Sequence, residues 1–257
     1  MKLGVIFGGT STEHDVSVVS GTSVIKNLNK EKYDITPIYI DTDGTWYRYT
    51  KNINDIDILP IGEKVTEIEK IENVMELIKS QDVIFPVLHG LYGEDGTIQG
   101  LFEMADIPYV GCGVFASAAA MDKFYTKLVV DTLNIRQAVY VPVLRDQLDN
   151  MEKVVLRVEE KLDYPVFVKP SKAGSSKGVS KAVDRETLIE GLFEASKHDY
   201  KILVEEAIIG RELECGVLGF GDDIKASGVG EILAAEEAAF YDFDAKYNNE
   251  DSKTVIE

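Results

Sequence analysis

Apolar runs of strand length alternate with helix-like spacings along the first third of the chain. Leu3–Phe7 is a continuous apolar run that ends in two glycines, which is typical of a buried strand leading into a tight turn. Thr66–Lys79 instead carries its apolar residues in one stripe and predicts an amphipathic helix. The other predicted elements are strands over Asp34–Ile40, Trp46–Tyr49, Asp82–Leu88 and Ile107–Val110 and helices over Val16–Leu28 and Gly96–Met104. Repeated strand–helix units predict a parallel sheet covered on both faces.

The pattern changes after a long predicted helix over Ser117–Leu133, and we place a domain boundary near residue 122. Beyond it, two short strands flank a loop rich in glycine, serine and lysine. The predicted elements here are strands over Val166–Lys169, Val179–Ala182, Lys201–Glu205, Cys215–Phe220 and Ala226–Ile232 and helices over Val154–Leu162 and Thr187–Ser196. The sequence thus predicts an α/β domain over residues 1–122, a smaller α+β lobe over 123–212 and the start of another lobe over 213–257.

Composition and charge narrow the class of protein. The 257 residues are 45% hydrophobic, which excludes a disordered chain, and the 27 basic and 45 acidic residues give a charge of −18 that disfavours nucleic-acid binding. No apolar run reaches the roughly 18 residues of a transmembrane helix, and the N-terminus is typical of a strand rather than a signal peptide. Cys112 and Cys215 lack a metal-binding spacing and are predicted to be small buried residues in a reducing compartment. We therefore expect a soluble cytoplasmic protein without a membrane partner.

The strongest candidate site is the loop between the two short strands, Lys169–Gly178. Glycines let backbone N–H groups turn toward one point, and the hydroxyls and ammonium groups of this loop add donors that suit a polyphosphate. The spacing is not that of a P-loop, which opens a helix, so we interpret the segment as a hairpin flap. The alternative is an ordinary solvated hairpin whose lysines discourage edge pairing.

Two segments of the first domain lie where parallel sheets place their ligands. Gly8–Glu13 follows the first strand but lacks the third glycine of a dinucleotide-binding turn. Glu13 there either contacts a ligand or caps the next helix and complements its dipole. His89 lies at the carboxyl end of a later strand, where it either hydrogen-bonds a carboxylate or ties its own loop.

Two segments of the second half carry mixed acidic and apolar character. Glu205, at a strand end, can accept from an exocyclic amine, while nearby backbone groups read a purine edge and a later carboxylate takes ribose hydroxyls. The alternative is a solvated acidic loop. Phe240–Tyr247 mixes aromatic and charged residues, which indicates either a lid over a site or an aromatic-anchored surface loop.

These five segments occur in one order and at spacings that together resemble the D-alanine–D-alanine ligases of the ATP-grasp superfamily. The resemblance spans the chain, from Gly-Gly-x-Ser-x-Glu through Leu-His-Gly, Gly-Glu-Asp-Gly, Met-Asp-Lys and Gly-Ser-Ser-x-Gly to Phe-Tyr-Asp-Phe-Asp-Ala-Lys-Tyr. It implies an α/β and α+β fold, in which a parallel-sheet pre-ATP-grasp domain precedes an ATP-grasp fold whose last lobe is incomplete.

The resemblance also implies residue roles. A substrate carboxylate can approach the γ-phosphate of ATP only where cations separate the two anions. The implied ATP-binding residues are Lys123, Lys169, Ser176, Glu205, Ile208, Glu212 and Lys246. The implied catalytic residues are Glu13, Ser175 and Tyr247, and the implied substrate-binding residues are Glu13, His89 and Ser175. His14 and Lys177 depart from the family, which often has arginine and an apolar residue at these positions.

The implied reaction joins two D-alanines with ATP through an acyl phosphate, for the synthesis of peptidoglycan precursors. A homodimer and two Mg²⁺ ions are implied as well. The magnesium ligands are expected beyond Glu257, so we expect a truncated chain that retains part of the site. The pair Lys246-Tyr247 favours an amine as the acceptor. Two alternatives stay open, a D-alanine–D-serine ligase and a nucleotide-binding module without catalysis.

Overall fold

The computed structural model describes residues 1–174, 177–233 and 253–256. It divides the chain into two compact units, Met1–Val129 and Val130–Glu257, each with its own sheet and core. This division falls a few residues after the predicted boundary at residue 122. The three-part arrangement with a further boundary at residue 212 stays a prediction.

A five-stranded sheet forms the centre of the first unit. Its strands are β1 (Lys2–Gly8), β2 (Asp34–Ile40), β3 (Trp46–Tyr49), β4 (Ile68–Lys70) and β5 (Val83–Pro86). The order is β4-β3-β2-β1-β5, with β1 parallel to β2 and β5 and with β3 and β4 added antiparallel at one edge. The carboxyl ends of β1, β2 and β5 therefore meet at one edge of the sheet, where open α/β sheets bind ligands.

Helices cover both faces of this sheet, as the alternation of strands and helices predicts. They are α1 (His14–Asn27) on one face and α2 (Val74–Lys79) and α3 (Thr97–Ala105) on the other. Two further helices, α4 (Val114–Met121) and α5 (Lys123–Thr132), follow in the chain. Successive residues of β1 point to opposite faces. Phe7 shares a buried cluster with Ile25 of α1, whereas Ile6 shares another with Phe102 of α3. Within the described residues, no helix is long and apolar enough to cross a bilayer.

The predicted helix over Thr66–Lys79 is wrong in its first half. Glu67 has a φ of 58°, which an α-helix does not allow, and Ile68–Lys70 pairs with β3 as a strand. The helix α2 begins only after Asn73, whose side chain accepts a hydrogen bond from the Glu76 N–H and so caps it. The apolar stripe therefore spans two elements.

Two other predictions near the end of the first unit are wrong. Ile107–Val110 contributes only a bridge between Ile84 and Tyr109, because Pro108 has no N–H with which to extend a ladder. The long helix over Ser117–Leu133 is split into α4 and α5 at Asp122, whose ψ of 104° is extended.

The predicted burial of both cysteines is also wrong, since Cys112 and Cys215 are exposed. Cys112 lies in the loop before α4, and Cys215 lies in a strand of the second unit whose residues are all exposed. Residue type alone does not report burial on loops and uncovered strands.

A four-stranded antiparallel sheet forms the core of the second unit. Its strands are β6 (Tyr140–Leu144), β7 (Val166–Pro170), β8 (Ser180–Ala182) and β9 (Lys201–Glu206), in the order β6-β9-β7-β8. Helices α6 (Met151–Glu159) and α7 (Arg185–His198) cover one face, where Val168 packs in a buried cluster with Val155 and Leu192. Strands β10 (Glu212–Leu218), β11 (Lys225–Leu233) and β12 (Lys253–Ile256) form a separate antiparallel sheet. The predicted α+β character and the hairpin of β7 and β8 are confirmed.

Candidate functional site

Glu13 ends the turn between β1 and α1 and is buried, with 8% of its surface exposed. It occupies the N-cap position of α1, but its side chain makes no capping hydrogen bond. The side chain instead reaches toward Gly90, where any Cβ would collide with its Oε2 atom. Gly90 has a φ of 68°, which favours glycine, and an added Cβ would displace the end of the Glu13 side chain. The carboxylate of Glu13 therefore faces the loop after β5 rather than the end of its own helix.

Hydrogen bonds join the loop after β1 to the loop after β5. The Ser11 hydroxyl donates to the His89 carbonyl at 2.7 Å, and the Glu13 N–H donates to the Ser11 hydroxyl at 3.1 Å. The Gly90 N–H donates to Glu94 Oε2 at 2.7 Å. The sequence-predicted residues Glu13 and His89 are thus brought together at the carboxyl ends of adjacent strands.

The ring of His89 is oriented by α1. Its Nε2 atom lies 3.1 Å from the Ser20 hydroxyl, which itself donates to the Val16 carbonyl at 2.8 Å. Because the hydrogen of Ser20 is engaged there, its oxygen accepts from His89, and Nε2 carries a hydrogen. The His89 carbonyl ties its own loop, as one sequence interpretation has it. The hydrogen bond from His89 to a ligand carboxylate stays a prediction.

A cavity of about 280 Å³ opens at this edge of the first sheet. Its walls include Gly8, Gly9, Ile40, Trp46, Leu88 and His89. Most of this lining is apolar, and its polar side chains include Thr10, His89 and Thr97.

The second cluster lies on the strands of the second unit. Lys169 Nζ is 2.5 Å from Glu205 Oε2, and the side chains are 28% and 9% exposed. Antiparallel pairing sets Phe167 of β7 opposite Glu205 of β9, and Lys169 is two residues along on the same face. The Lys169 ammonium also lies 5.5 Å from the centroid of the Phe167 ring. Strand register alone therefore assembles this ion pair on the sheet face opposite α6 and α7.

The chain leaves the sheet directly after this pair. Glu206, the last residue of β9, still contacts the residue that precedes β6, since its Oε1 accepts from the Val139 N–H at 2.9 Å. Ile208 is exposed, and Glu212 is exposed at the start of β10. The solvated-loop interpretation therefore fits Glu212 but not Glu205, which is buried and paired.

Comparison with known protein families agrees with this architecture. Residues 2–112 match the model of the D-ala D-ala ligase N-terminus, and residues 129–257 match that of the D-ala D-ala ligase C-terminus. This chain belongs to the D-alanine–D-alanine ligase family. It is 48% identical to D-alanine–D-alanine ligase B of Clostridium tetani, covering 100% of this chain and 71% of that protein. It is 49% identical to the D-alanine–D-alanine ligase of Acetivibrio thermocellus, covering 98% of this chain and 73% of the relative.

Solved structures of the same family confirm the fold class. The VanG D-Ala:D-Ser ligase from Enterococcus faecalis is 37% identical, with a TM-score of 0.83 over 98% of this chain and 75% of that one. The D-alanine–D-alanine ligase from Coxiella burnetii is 30% identical, with a TM-score of 0.78 over 91% of this chain and 71% of that one. The α/β first unit and the ATP-grasp fold that follows it are those of the family.

The remaining family positions are described only in part. Lys123 is half-buried at the first residue of α5, after the fully buried Asp122. It belongs to the first unit, and Lys169 belongs to the second. Ser175, Ser176, Lys246 and Tyr247 lie outside the described residues.

Sequence reasoning missed the residues that hold the site residues in place. Ser11 falls inside the Gly8–Glu13 motif, where a serine two residues before the N-cap of a helix signals a turn hydrogen bond. Ser20 and Glu94 carry no such signal. Ser20 meets His89 across 69 residues of chain, which no local pattern reports.

Proposed function

We propose that this chain catalyses the ATP-dependent joining of two D-alanines into D-alanyl-D-alanine, for the synthesis of peptidoglycan precursors. The observation that carries the proposal is the buried Glu205 carboxylate held against Lys169 on the sheet face opposite α6 and α7. It supplies an acceptor and a cation side by side, which suits the exocyclic amine of adenine and the adjoining phosphates. Membership of the family supports ATP as the nucleotide.

ATP is held by the remaining family positions in this proposal. Lys123 and Lys246 join Lys169 around the phosphates, and Ser176 donates to them. The backbone near Ile208 reads the purine edge, and Glu212 accepts from the ribose hydroxyls. These cations offset the repulsion between the substrate carboxylate and the γ-phosphate, which is the main barrier to the first step.

The amino acids bind at the edge of the first sheet. Glu13 accepts from the ammonium group of the first D-alanine, and its buried position beside Gly90 supports that role. His89 lies near the carboxylate of the second D-alanine. Ser175 and Tyr247 complete the closure over the reacting groups and exclude water, which would hydrolyse the intermediate.

The reaction has two steps. A carboxylate oxygen of the first D-alanine attacks the γ-phosphorus, the bond to the β-phosphate oxygen breaks, and ADP and an acyl phosphate form. The ammonium of the second D-alanine loses one proton to solvent, and the free amine attacks the acyl carbon. The bond from that carbon to the phosphate oxygen then breaks, inorganic phosphate leaves, and the nitrogen loses a second proton as the peptide bond forms. No side chain forms a covalent bond, so positioning and charge neutralisation supply the acceleration.

Mg²⁺ belongs to the proposal only through the family. Among the described residues, no group of three or more histidine, cysteine, aspartate or glutamate side chains is arranged to hold a metal ion. The described residues therefore offer no such ligand set, and no step above passes through the ions. A homodimer and a cytoplasmic location are proposed on the same family basis, to be tested by light scattering and by cell fractionation.

One experiment separates the three candidate functions. Calorimetry first measures ATP binding, and then phosphate release is followed with D-alanine and with D-alanine plus D-serine. Release with D-alanine alone, with D-alanyl-D-alanine identified by mass spectrometry, is the expected result. The mixed product would favour a D-alanine–D-serine ligase, which the structural similarity to the VanG enzyme makes the second candidate. ATP binding without phosphate release would indicate a nucleotide-binding module.

A further inference from the structure

His14 directly follows Glu13, and its ring joins two segments of the first unit. Its Nδ1 atom lies 2.6 Å from the Gly9 carbonyl, and its Nε2 atom lies 3.2 Å from the Tyr39 hydroxyl near the end of β2. The Gly9 N–H also donates to the Ile40 carbonyl, at 2.8 Å. The Gly9 residue, which lines the cavity, is thus held at both its N–H and its carbonyl.

The Tyr39 side chain, which contacts His14, is itself held by other residues. Its hydroxyl donates to Asp41 Oδ1 at 3.1 Å, and its ring stacks on Tyr47 with centroids 6.2 Å apart. Burial, reinforced by the charge of Asp41, raises the pKa of Tyr39, so its hydroxyl keeps its hydrogen. The Thr42 N–H holds the same Asp41 oxygen at 2.7 Å. A continuous set of contacts therefore runs from Asp41, just after β2, through Tyr39 and His14 to Gly9 in the loop after β1.

Hydrogen counting places a hydrogen on Nδ1 of the His14 ring. The Gly9 carbonyl can only accept, so Nδ1 must carry a hydrogen. The two rings also meet edge to face at 74°, with centroids 5.6 Å apart, which limits rotation of the imidazole. His14 is therefore held in one orientation, with Nδ1 as a donor to the Gly9 carbonyl.

We propose that His14 is a positioning residue that fixes the Gly9–Glu13 loop against β2 through Gly9 and Tyr39, so that the Glu13 carboxylate faces the ammonium of the substrate. The inference rests on the proposed function for the role of Glu13, and it adds a residue that does not itself touch the substrate. A shift of His14 moves its neighbour Glu13, whose space beside Gly90 is tightly bounded.

Kinetics of four variants test the role. His14→Ala should raise the KM for D-alanine ~10-fold, the scale of one or two lost hydrogen bonds, while ATP affinity stays within about twofold. His14→Asn, whose amide can replace the Nδ1 donor, should recover most of that loss. Tyr39→Phe, which keeps the ring and removes the hydroxyl, should give an intermediate KM. Tyr33→Phe is the matched control and should match the wild type. Equal effects on D-alanine and ATP, or no rescue by asparagine, would overturn the proposal.

A nitrogen NMR spectrum of the histidine rings gives a readout that does not depend on activity. The full chain should show His14 with a hydrogen on Nδ1, assigned by its loss in His14→Ala, and Tyr39→Phe should move the Gly9 amide signal. A His14 ring with no hydrogen on Nδ1 overturns the positioning role even in an active enzyme. If the wild type releases no phosphate with D-alanine, the proposed function fails, whereas the NMR result still decides the role of His14.

Discussion

The two candidate clusters are held in place by different means. Glu13 and His89 lie on loops, and hydrogen bonds that involve Ser11, Ser20 and backbone groups set their positions. Lys169 and Glu205 lie on neighbouring strands, and the register of the sheet alone sets theirs. The loop cluster, Glu13 and His89, therefore depends on shape, because a small shift in any of these hydrogen bonds moves its side chains. The strand cluster, Lys169 and Glu205, depends on charge, because the pairing of β7 with β9 already fixes its backbone.

This difference separates the effects expected of substitutions. A change of charge at the strand cluster should act on the nucleotide, and a change of shape at the loop cluster should act on the amino acid.

The largest effect is expected from Lys169→Ala. It removes a cation from the proposed phosphate site and leaves the buried Glu205 carboxylate without its ammonium partner. ATP affinity should fall on the order of 100-fold, from the loss of a charged hydrogen bond worth about 3 kcal/mol. The free energy of unfolding should fall by up to about 3 kcal/mol, as for other broken buried pairs.

Calorimetry with ATP and urea titration measure both effects of Lys169→Ala. Lys181→Ala is the control, because Lys181 lies exposed on the neighbouring strand β8. Unchanged ATP binding in Lys169→Ala would show that the nucleotide does not bind at the strand cluster.

Gly90→Ala tests the loop cluster. A methyl group there collides with Glu13, and a φ of 68° strains any side chain. The variant should lose about 1–3 kcal/mol of unfolding free energy and raise the KM for D-alanine, while ATP affinity is unchanged.

Gly100→Ala is the matched control for Gly90→Ala. Gly100 lies inside α3 with open space where its Cβ would be, so alanine there should stabilise by about 0.5–1 kcal/mol. Thermal unfolding and the two KM values compare the pair. A Gly90→Ala enzyme with normal D-alanine kinetics would show that the Glu13 loop tolerates displacement.

The sequence predicts the strand cluster better than the loop cluster, and the reason is physical. Lys169 and Glu205 each follow an apolar strand run, and the pairing of two such strands is a local consequence of their pattern. The ties of the loop cluster join Ser20 to His89 and His14 to Tyr39, across 69 and 25 residues. Contacts of that separation depend on how the helices pack on the sheet, which periodicity does not report.

The failed element predictions have the same origin. The apolar stripe over Thr66–Lys79 satisfies helical spacing, yet pairing with β3 competes for its first half and prevails at Glu67. Asp122 interrupts a helical pattern because its backbone turns into an extended conformation between α4 and α5. In each case tertiary contacts override a sound local preference.

Glu205→Gln should have a smaller effect than either substitution above. The amide keeps an oxygen that accepts from the adenine amine, but it loses the charge that holds Lys169, and its NH₂ group can donate to the carbonyl of guanine. ATP affinity should fall ~10-fold, and the preference for ATP over GTP should narrow. Competition between ATP and GTP for binding measures this preference. Glu206→Gln, next along the strand, is the control, and a preference unchanged in Glu205→Gln would separate this carboxylate from the purine.

The smallest effect is expected at the edge of the strand cluster, from Tyr140→Phe. Tyr140 pairs with Glu205 across β6 and β9, and its hydroxyl donates to Asp131 Oδ2 at 2.7 Å. Burial and this bond to Asp131 raise the pKa of Tyr140 from 10.0 to about 12. Because the folded state favours the protonated phenol, its stabilisation is complete below pH 10 and is lost as the pH rises toward 12.

Urea midpoints from pH 8 to pH 12 test this contribution. The difference in stability between wild type and Tyr140→Phe should be largest at pH 8, at about 1 kcal/mol for one hydrogen bond, and should shrink across pH 10–12. Asp131→Asn should flatten the same part of the profile, and adding Tyr140→Phe to it should change the profile little further. A difference that stays constant with pH would mean that the hydroxyl is not bound to the carboxylate.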